Sequence, residues 1–159
     1  MIRQFEEEDA QACSDLVRAC IVRDPDIPLA TLDRLLQEES PQLMCKRATL
    51  FYLAVFERDR MIAGVGGLDL NEIRLLYVAP DHQRQGIGRT LLEHLERMVP
   101  PALFSDIFLY ATPSAETFYR ACGYESRGDH TFDLDGKPLP TIFMVKPIYP
   151  RLRSARRRK

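Results

Sequence analysis

The sequence predicts an α+β fold, three layers deep, in which a mixed but mostly antiparallel sheet of about six to seven strands is flanked by about four helices. Three observations predict it. Apolar residues recur at helical steps in some stretches and run in short aliphatic and aromatic blocks in others. Two pairs of blocks are joined by tight polar turns, the mark of antiparallel hairpins. A strand, a helix and another strand follow one another in mid-chain, which supplies a parallel crossover. At 159 residues with no internal repeat, the chain is expected to form one domain over residues 1–148 and a basic, unstructured tail over 149–159.

The elements follow in order. MIRQF opens as a short strand. Residues 7–22 place Ala10, Cys13, Leu16, Val17, Cys20 and Ile21 at three- and four-residue steps, with acidic residues crowding the start as a helix dipole favours. RDPDIP breaks that helix. A second carries Leu29, Leu32, Leu35 and Leu36 on one stripe and ends before Pro41. TLFYLAVFE (49–57) and MIAGVGGLDL (61–70) read as strands about the turn Arg58-Asp59-Arg60, and NEIRLLYVAP (71–80) as a third, stopped by Pro80. A helix over 88–98 gathers Ile87, Leu91, Leu92, Leu95 and Met98 on one side. DIFLYAT (106–112) is a buried strand. Residues 113–124 form a short helix, with Pro113 in its first turn and Gly123 as its C-terminal cap. The last hairpin turns at Asp135-Gly136, with interruptions expected at Pro138 and Pro140.

Composition narrows the function. The amino terminus is too acidic for a secretory leader, and no stretch approaches the roughly 18 apolar residues of a membrane span. Cys13, Cys20, Cys45 and Cys122 form no CxxC and stand at no metal-ligand spacing from His82, His94 or His130. They read as reduced, core-filling thiols of a cytoplasmic protein, with no metal. The tail RLRSARRRK carries six positive charges, leaving the first 150 residues with 16 basic and 23 acidic residues, a net of −7. A body of that charge repels phosphate, so nucleic acid is not an expected partner.

HQRQGIG (82–88) lies between a strand and a helix. The first N–H groups of a helix lack intrahelical acceptors and, with the dipole, favour an anion. Gly86 and Gly88 let the backbone come close, and Arg84 and Arg89 can pair with phosphate. No Walker GxxxxGK[ST] is present. A dinucleotide GxGxxG is broken by Leu91, and the eight residues from Val78 to Gly86 are too long for its tight turn.

Gln83-Arg84-Gln85-Gly86-Ile87-Gly88 resembles the [RQ]xxGx[GA] loop of the GNAT superfamily of acetyl-CoA-dependent N-acetyltransferases. SAETFYRACGYE (114–125) is similar to that family's later A-x-x-[LF]-Y-x-x-x-G-[FY] helix, and the order of elements fits over 1–148. The resemblance implies a sheet splayed at a cofactor slot. It implies acetyl-CoA, or coenzyme A, as co-substrate. Backbone groups of Leu76, Tyr77 and Val78 would hold the pantetheine arm, with the N–H of Val78 or its neighbour as oxyanion donor. Amides of the loop Gln83, Arg84, Gln85, Gly86, Ile87, Gly88, Arg89 and Thr90 would hold the pyrophosphate. Phe118 belongs to the same motif. Tyr119 would be the general acid for the thiolate and Glu72 the general base, or water in its place. The family often has Asn where this chain has Thr112, so that pantetheine contact passes to Thr112 or Ser114.

The implied acceptor is a small-molecule or peptide primary amine, with Asp24, Asp26, Tyr52, His130 and Asp133 as residues able to shape its site. Arg58, Asp59 and Arg60 read as turn residues only. A homodimer is open. Two other functions fit the same residues: a non-catalytic acyl-CoA sensor, and a nucleic-acid-associated modifier recruited by the basic tail.

Overall fold

The computed structural model describes residues 1–148; the basic tail, read above as unstructured, lies outside the described residues. The chain runs β1 (Ile2–Gln4), α1 (Ala10–Arg23), α2 (Leu29–Gln37), α3 (Pro41–Leu50), β2 (Tyr52–Arg58), β3 (Met61–Asp69), β4 (Glu72–Val78), α4 (Ile87–Met98), β5 (Asp106–Ala111), α5 (Glu116–Ala121), β6 (Glu125–Leu134) and β7 (Lys137–Pro147). One seven-stranded sheet has the order β1-β2-β3-β4-β5-β7-β6, antiparallel everywhere except between β4 and β5. No helix among the described residues is long and apolar enough to cross a membrane.

Among the described residues five helices flank the sheet, one more than expected. The additional one is α3. Pro41, read as the stop of the preceding helix, is the first residue of the next: the Ser40 side chain accepts from Leu43 N–H and caps it. Leu29 also departs from its expected stripe and is 86% exposed. Thr31 is fully buried in its place and donates to Pro138 O at 2.5 Å. Met98, expected on the buried side of α4, is 45% exposed, and Val99 packs there instead. The Pro138 and Pro140 expectation is corrected too. Both remain in the ladder, opposite Asp133 and Thr131, beyond the stretch where β5 pairs with β7. Their missing N–H groups fall on the open side of β7, where no ladder bond is lost.

Two cores lie on the two faces. Ala10, Cys13, Leu16, Val17 and Ile21 of α1 pack with Leu53, Val55 and Val65 on one face. Ile87, Leu91, Leu92 and Leu95 of α4 pack with Ile73, Ile107 and Leu109 on the other. The glycines of β3 set how close α4 can come. A Cβ at Gly64 would sit 2.8 Å from Leu91 Cδ1 and 3.3 Å from Tyr77 O; one at Gly66 would sit 2.9 Å from Leu95 Cδ1. Gly64→Val therefore overpacks the seam between β3 and α4. It is expected to destabilise the fold by about 1–3 kcal/mol, read as a lowered Tm in thermal unfolding; an unchanged Tm contradicts that packing account.

Candidate active site

The site begins where the sheet divides. β4 and β5 share one parallel register pair, Glu72 with Phe108, and Phe108 N–H donates to Asn71 O. Beyond that point the two strands are not paired. β4 carries one extra residue, Arg74: Gly67 pairs with Leu75 and Leu68 with Ile73. Such a bulge bends the strand and adds twist. Ala79 N–H bonds back to Ala63 O on β3. Strand alternation then turns the peptide groups of Tyr77 toward β3 and leaves those of Leu76 and Val78 on the open edge. The Val78 carbonyl already accepts from Gln83 Nε2 and from the Cys20 thiol, both at 3.1 Å.

The gap between β4 and β5 opens into a cavity of about 1120 Å³. Thirteen of the sixteen residues selected from the sequence line it: Glu72, Leu76, Tyr77, Val78, Gln83, Arg84, Gly86, Gly88, Arg89, Thr112, Ser114, Phe118 and Tyr119. The side chains of Gln85, Ile87 and Thr90 do not. Gln85 Oε1 accepts from Arg58, Ile87 is buried in the core under α4, and the Thr90 hydroxyl donates to Gly86 O at 2.9 Å. These three offer the site their backbone only. Arg58, read as a turn residue, instead fixes the loop through Gln85.

At the far end the loop enters α4. Arg84 and Gly86 both have left-handed backbones, φ 59° and 83°. Among the described residues, no N–H from Arg84 to Arg89 has an intramolecular acceptor, because the first bond into the helix is Thr90 N–H to Gly86 O. Alternating right- and left-handed residues turn successive amides toward one point, and the helix dipole adds to them. A Cβ on Gly88 would meet the Phe118 ring at 3.3 Å. Arg89 donates to Ala121 O and ties α4 to α5.

Tyr119 and Tyr77 face the cavity from opposite walls. Burial pushes both phenols above their ordinary value; at Tyr77 the Glu39 carboxylate adds to the effect. Both therefore keep their protons at neutral pH. The Tyr119 ring is edge-on to Phe118 and Tyr124 at 5.1 and 5.7 Å, and its hydroxyl has no hydrogen-bond partner among the described residues. Burial likewise raises the Cys20 thiol to about 11.

Thr112 and Ser114 are joined hydroxyl to hydroxyl at 3.2 Å, and Ser114 donates to Asp24 Oδ2 at 3.0 Å. That chain links the end of β5 to the end of α1 across the gap. Glu72 pairs with Arg74 at 3.2 Å.

Of the five acceptor-site candidates, Asp24 alone lines the cavity. The Asp26 N–H closes a turn on Asp24, and Tyr52 bonds His94 at 3.0 Å on the α4 side. His130 stacks outside the cavity, and Asp133 caps Gly136. Sequence reasoning missed Glu39, Tyr110, Phe132 and Leu139, all of which line it. Glu39 is buried and held in a two-pronged ion pair with Arg47 at 2.5 and 3.0 Å. Nothing in the helical pattern marks it. For the aromatics a signal existed, since alternation puts Tyr110 and Phe132 on the outward faces of their strands.

Comparison with known proteins gives the chain's family and fold. The chain is 30% identical over 96 residues to the peptidyl-lysine N-acetyltransferase YjaB of Salmonella typhimurium, covering 60% of this chain and 64% of that protein. Its fold matches a GCN5-related N-acetyltransferase from Rhodopseudomonas palustris at a TM-score of 0.84, with 20% identity over 93% of this chain and 95% of that one. It also matches the PaiA N-acetyltransferase of Thermoplasma acidophilum, solved with coenzyme A, at a TM-score of 0.69 and 17% identity, covering 93% and 98%. Residues 10–138 match the acetyltransferase (GNAT) domain family, to which this chain belongs.

Proposed function

We propose that the protein transfers an acetyl group from acetyl-CoA to a primary amine by direct attack, in a ternary complex with no covalent acyl-enzyme. One observation carries the reading. A single cavity holds an anion-seeking run of free amides at one end, an open strand edge along its side, and a protonated tyrosine across from that edge. The donor fits on this chain's own features: six free amides with Arg84 suit a pyrophosphate, and the glycine at 88 leaves room beside Phe118.

When bound, acetyl-CoA supplies an activated acetyl thioester. The residues do the rest. Amides of Arg84 to Arg89 and the Arg84 side chain hold the pyrophosphate, and the peptide groups of Leu76 hold the pantetheine amides as a neighbouring strand would. The Val78 N–H points along the open edge, where it can donate to a developing oxyanion. Tyr119 Oη keeps the proton that the departing sulfur needs. Glu72, at the point where the strands part, receives the proton of the amine through water. Thr112 and Ser114, bound to Asp24, steady the opposite rim. The acceptor is a primary amine, as is the peptidyl-lysine in the name of the Salmonella relative. Four free thiols, Cys13 wholly buried, suit a reducing compartment such as the cytoplasm.

Three measurements test the assignment. Tyr119→Phe is expected to lower kcat by about 10²-fold while the acetyl-CoA Kd stays within about twofold; undiminished turnover removes the acid role. Because burial raises the Tyr119 pKa, its proton is lost only above pH 10, so the kcat profile should show no alkaline fall from this group below that point. Arg84→Ala should weaken coenzyme A binding about three- to tenfold, an effect that shrinks as salt rises. An unchanged Kd at low salt would take Arg84 out of the pyrophosphate site.

A further inference from the structure

The half of the sheet beyond the gap carries an aromatic surface that the cofactor reading leaves unused. Phe108 and Tyr110 on β5 share a face, because the alternate residues Ile107, Leu109 and Ala111 are buried against α4. The register carries that face across two more strands: Tyr110 pairs with Phe143, His130 with Thr141, and Phe132 with Leu139. Tyr110 is the centre. Its ring lies 5.2 Å from Phe143, 6.2 Å from Phe108 and 5.0 Å from both His130 and Phe132. Phe108, Tyr110, Phe132 and Phe143 are half-buried and His130 is exposed. Helix α2 reaches this face at its hairpin end, through Thr31 to Pro138 and Arg34 to Asp135. Five contiguous rings facing outward mark a binding surface.

Two facts say what lies on it. First, the wall is continuous with the reaction cavity, because Tyr110 and Phe132 line the same space as Val78 and Tyr119. Second, two carboxylates are beside it: Glu72, the register partner of Phe108, is bonded to Arg74 through Oε2 only, and Asp24 lines the same cavity. Adjacent strands stand about 4.8 Å apart. A ligand with its ring on Tyr110, where the wall meets the cavity, and a cationic nitrogen at Glu72 therefore needs only a short tether.

We infer that the acceptor is an arylalkylamine: a primary amine carried on a short tether from an aromatic ring. The inference rests on the acetyltransferase reading of the same cavity. The N–C bond forms as the thioester C–S bond breaks; the amine gives up one proton, the sulfur takes one, and the products are the N-acetyl arylalkylamine and coenzyme A. The aromatic wall positions the ring, so Phe132 and Tyr110 set specificity rather than carry out chemistry.

The test compares kcat/KM for 2-phenylethylamine and tryptamine with hexylamine, spermidine, kanamycin and a lysine-containing peptide, by release of coenzyme A thiol. The arylalkylamines should lead by about three- to tenfold, chiefly through KM. Phe132→Ala should remove that lead while calorimetry shows acetyl-CoA binding intact. The chain has no tryptophan, so indole fluorescence reports bound tryptamine directly, and Phe132→Ala should weaken that binding by the same factor. An equal or better rate with any other amine class, no turnover of arylalkylamines, or a selectivity untouched by Phe132→Ala overturns the inference and leaves the acetyltransferase reading in place. Failure to bind acetyl-CoA at all defeats the reading beneath it.

Discussion

A sheet buried inside a protein cannot leave a strand edge without hydrogen-bond partners. Here β4 and β5 pair once, at Glu72 and Phe108, and then part. Everything else at the site answers that break. Gln83 and Cys20 satisfy the carbonyl of Val78 from two sides. The remaining peptide groups of Leu76 and Val78 stay available to a ligand able to act as the missing strand. The Thr112–Ser114–Asp24 chain holds the far rim, and the β3 glycines bring α4 close enough that its N-terminus opens at the end of the gap.

The gap is also polar along its length in the electrostatic sense. The first 150 residues carry a net charge of −7, which by itself repels phosphate. The loop overcomes this locally. Six free amides, the dipole of α4, and Arg58, Arg84 and Arg89 gather at one end. Asp24, Glu39 and Glu72 line the rest beside Arg23 and Arg74, with Glu39 paired to Arg47 and Glu72 to Arg74 through one oxygen. In the proposed reaction, an anionic donor and a cationic acceptor would thus be drawn to different regions of one cavity. Tyr77 and Tyr119 lie between, uncharged because burial holds their protons.

Much of this was legible in the residues, and the exceptions have physical causes. Short-range features were readable: the loop at 83–88, the cap at Gly123 with its φ of 97°, the turn at Asp135-Gly136, and the apolar faces of α1 and α4 all depend on neighbours within a turn or two. Helix α3 was not. Met44 is its one buried residue, so it shows no apolar stripe, and its Ser40-Pro41 start also reads as a stop. Tyr77 was placed on the slot by motif position, but its peptide groups turn to β3, since the direction of a peptide depends on ladder register. Register and strand order also hid the aromatic wall. Tyr110, Phe132 and Phe143 come from three strands, and β7 inserts between β5 and β6 against chain order. Arg58 and Gln85, 27 residues apart, meet for the same long-range reason.

The claim at the centre is that the open edge of β4 and the free amides at the start of α4 form one binding surface. Backbone ¹H–¹⁵N spectra recorded on titration with coenzyme A test it most directly. The largest shifts should fall on Leu76, Val78 and Arg84 to Arg89, with β1 and β2 unmoved. Shifts centred elsewhere, such as the smaller cleft lined by Glu96, Cys122 and Lys146, would contradict the account, as would a spectrum that coenzyme A leaves unchanged.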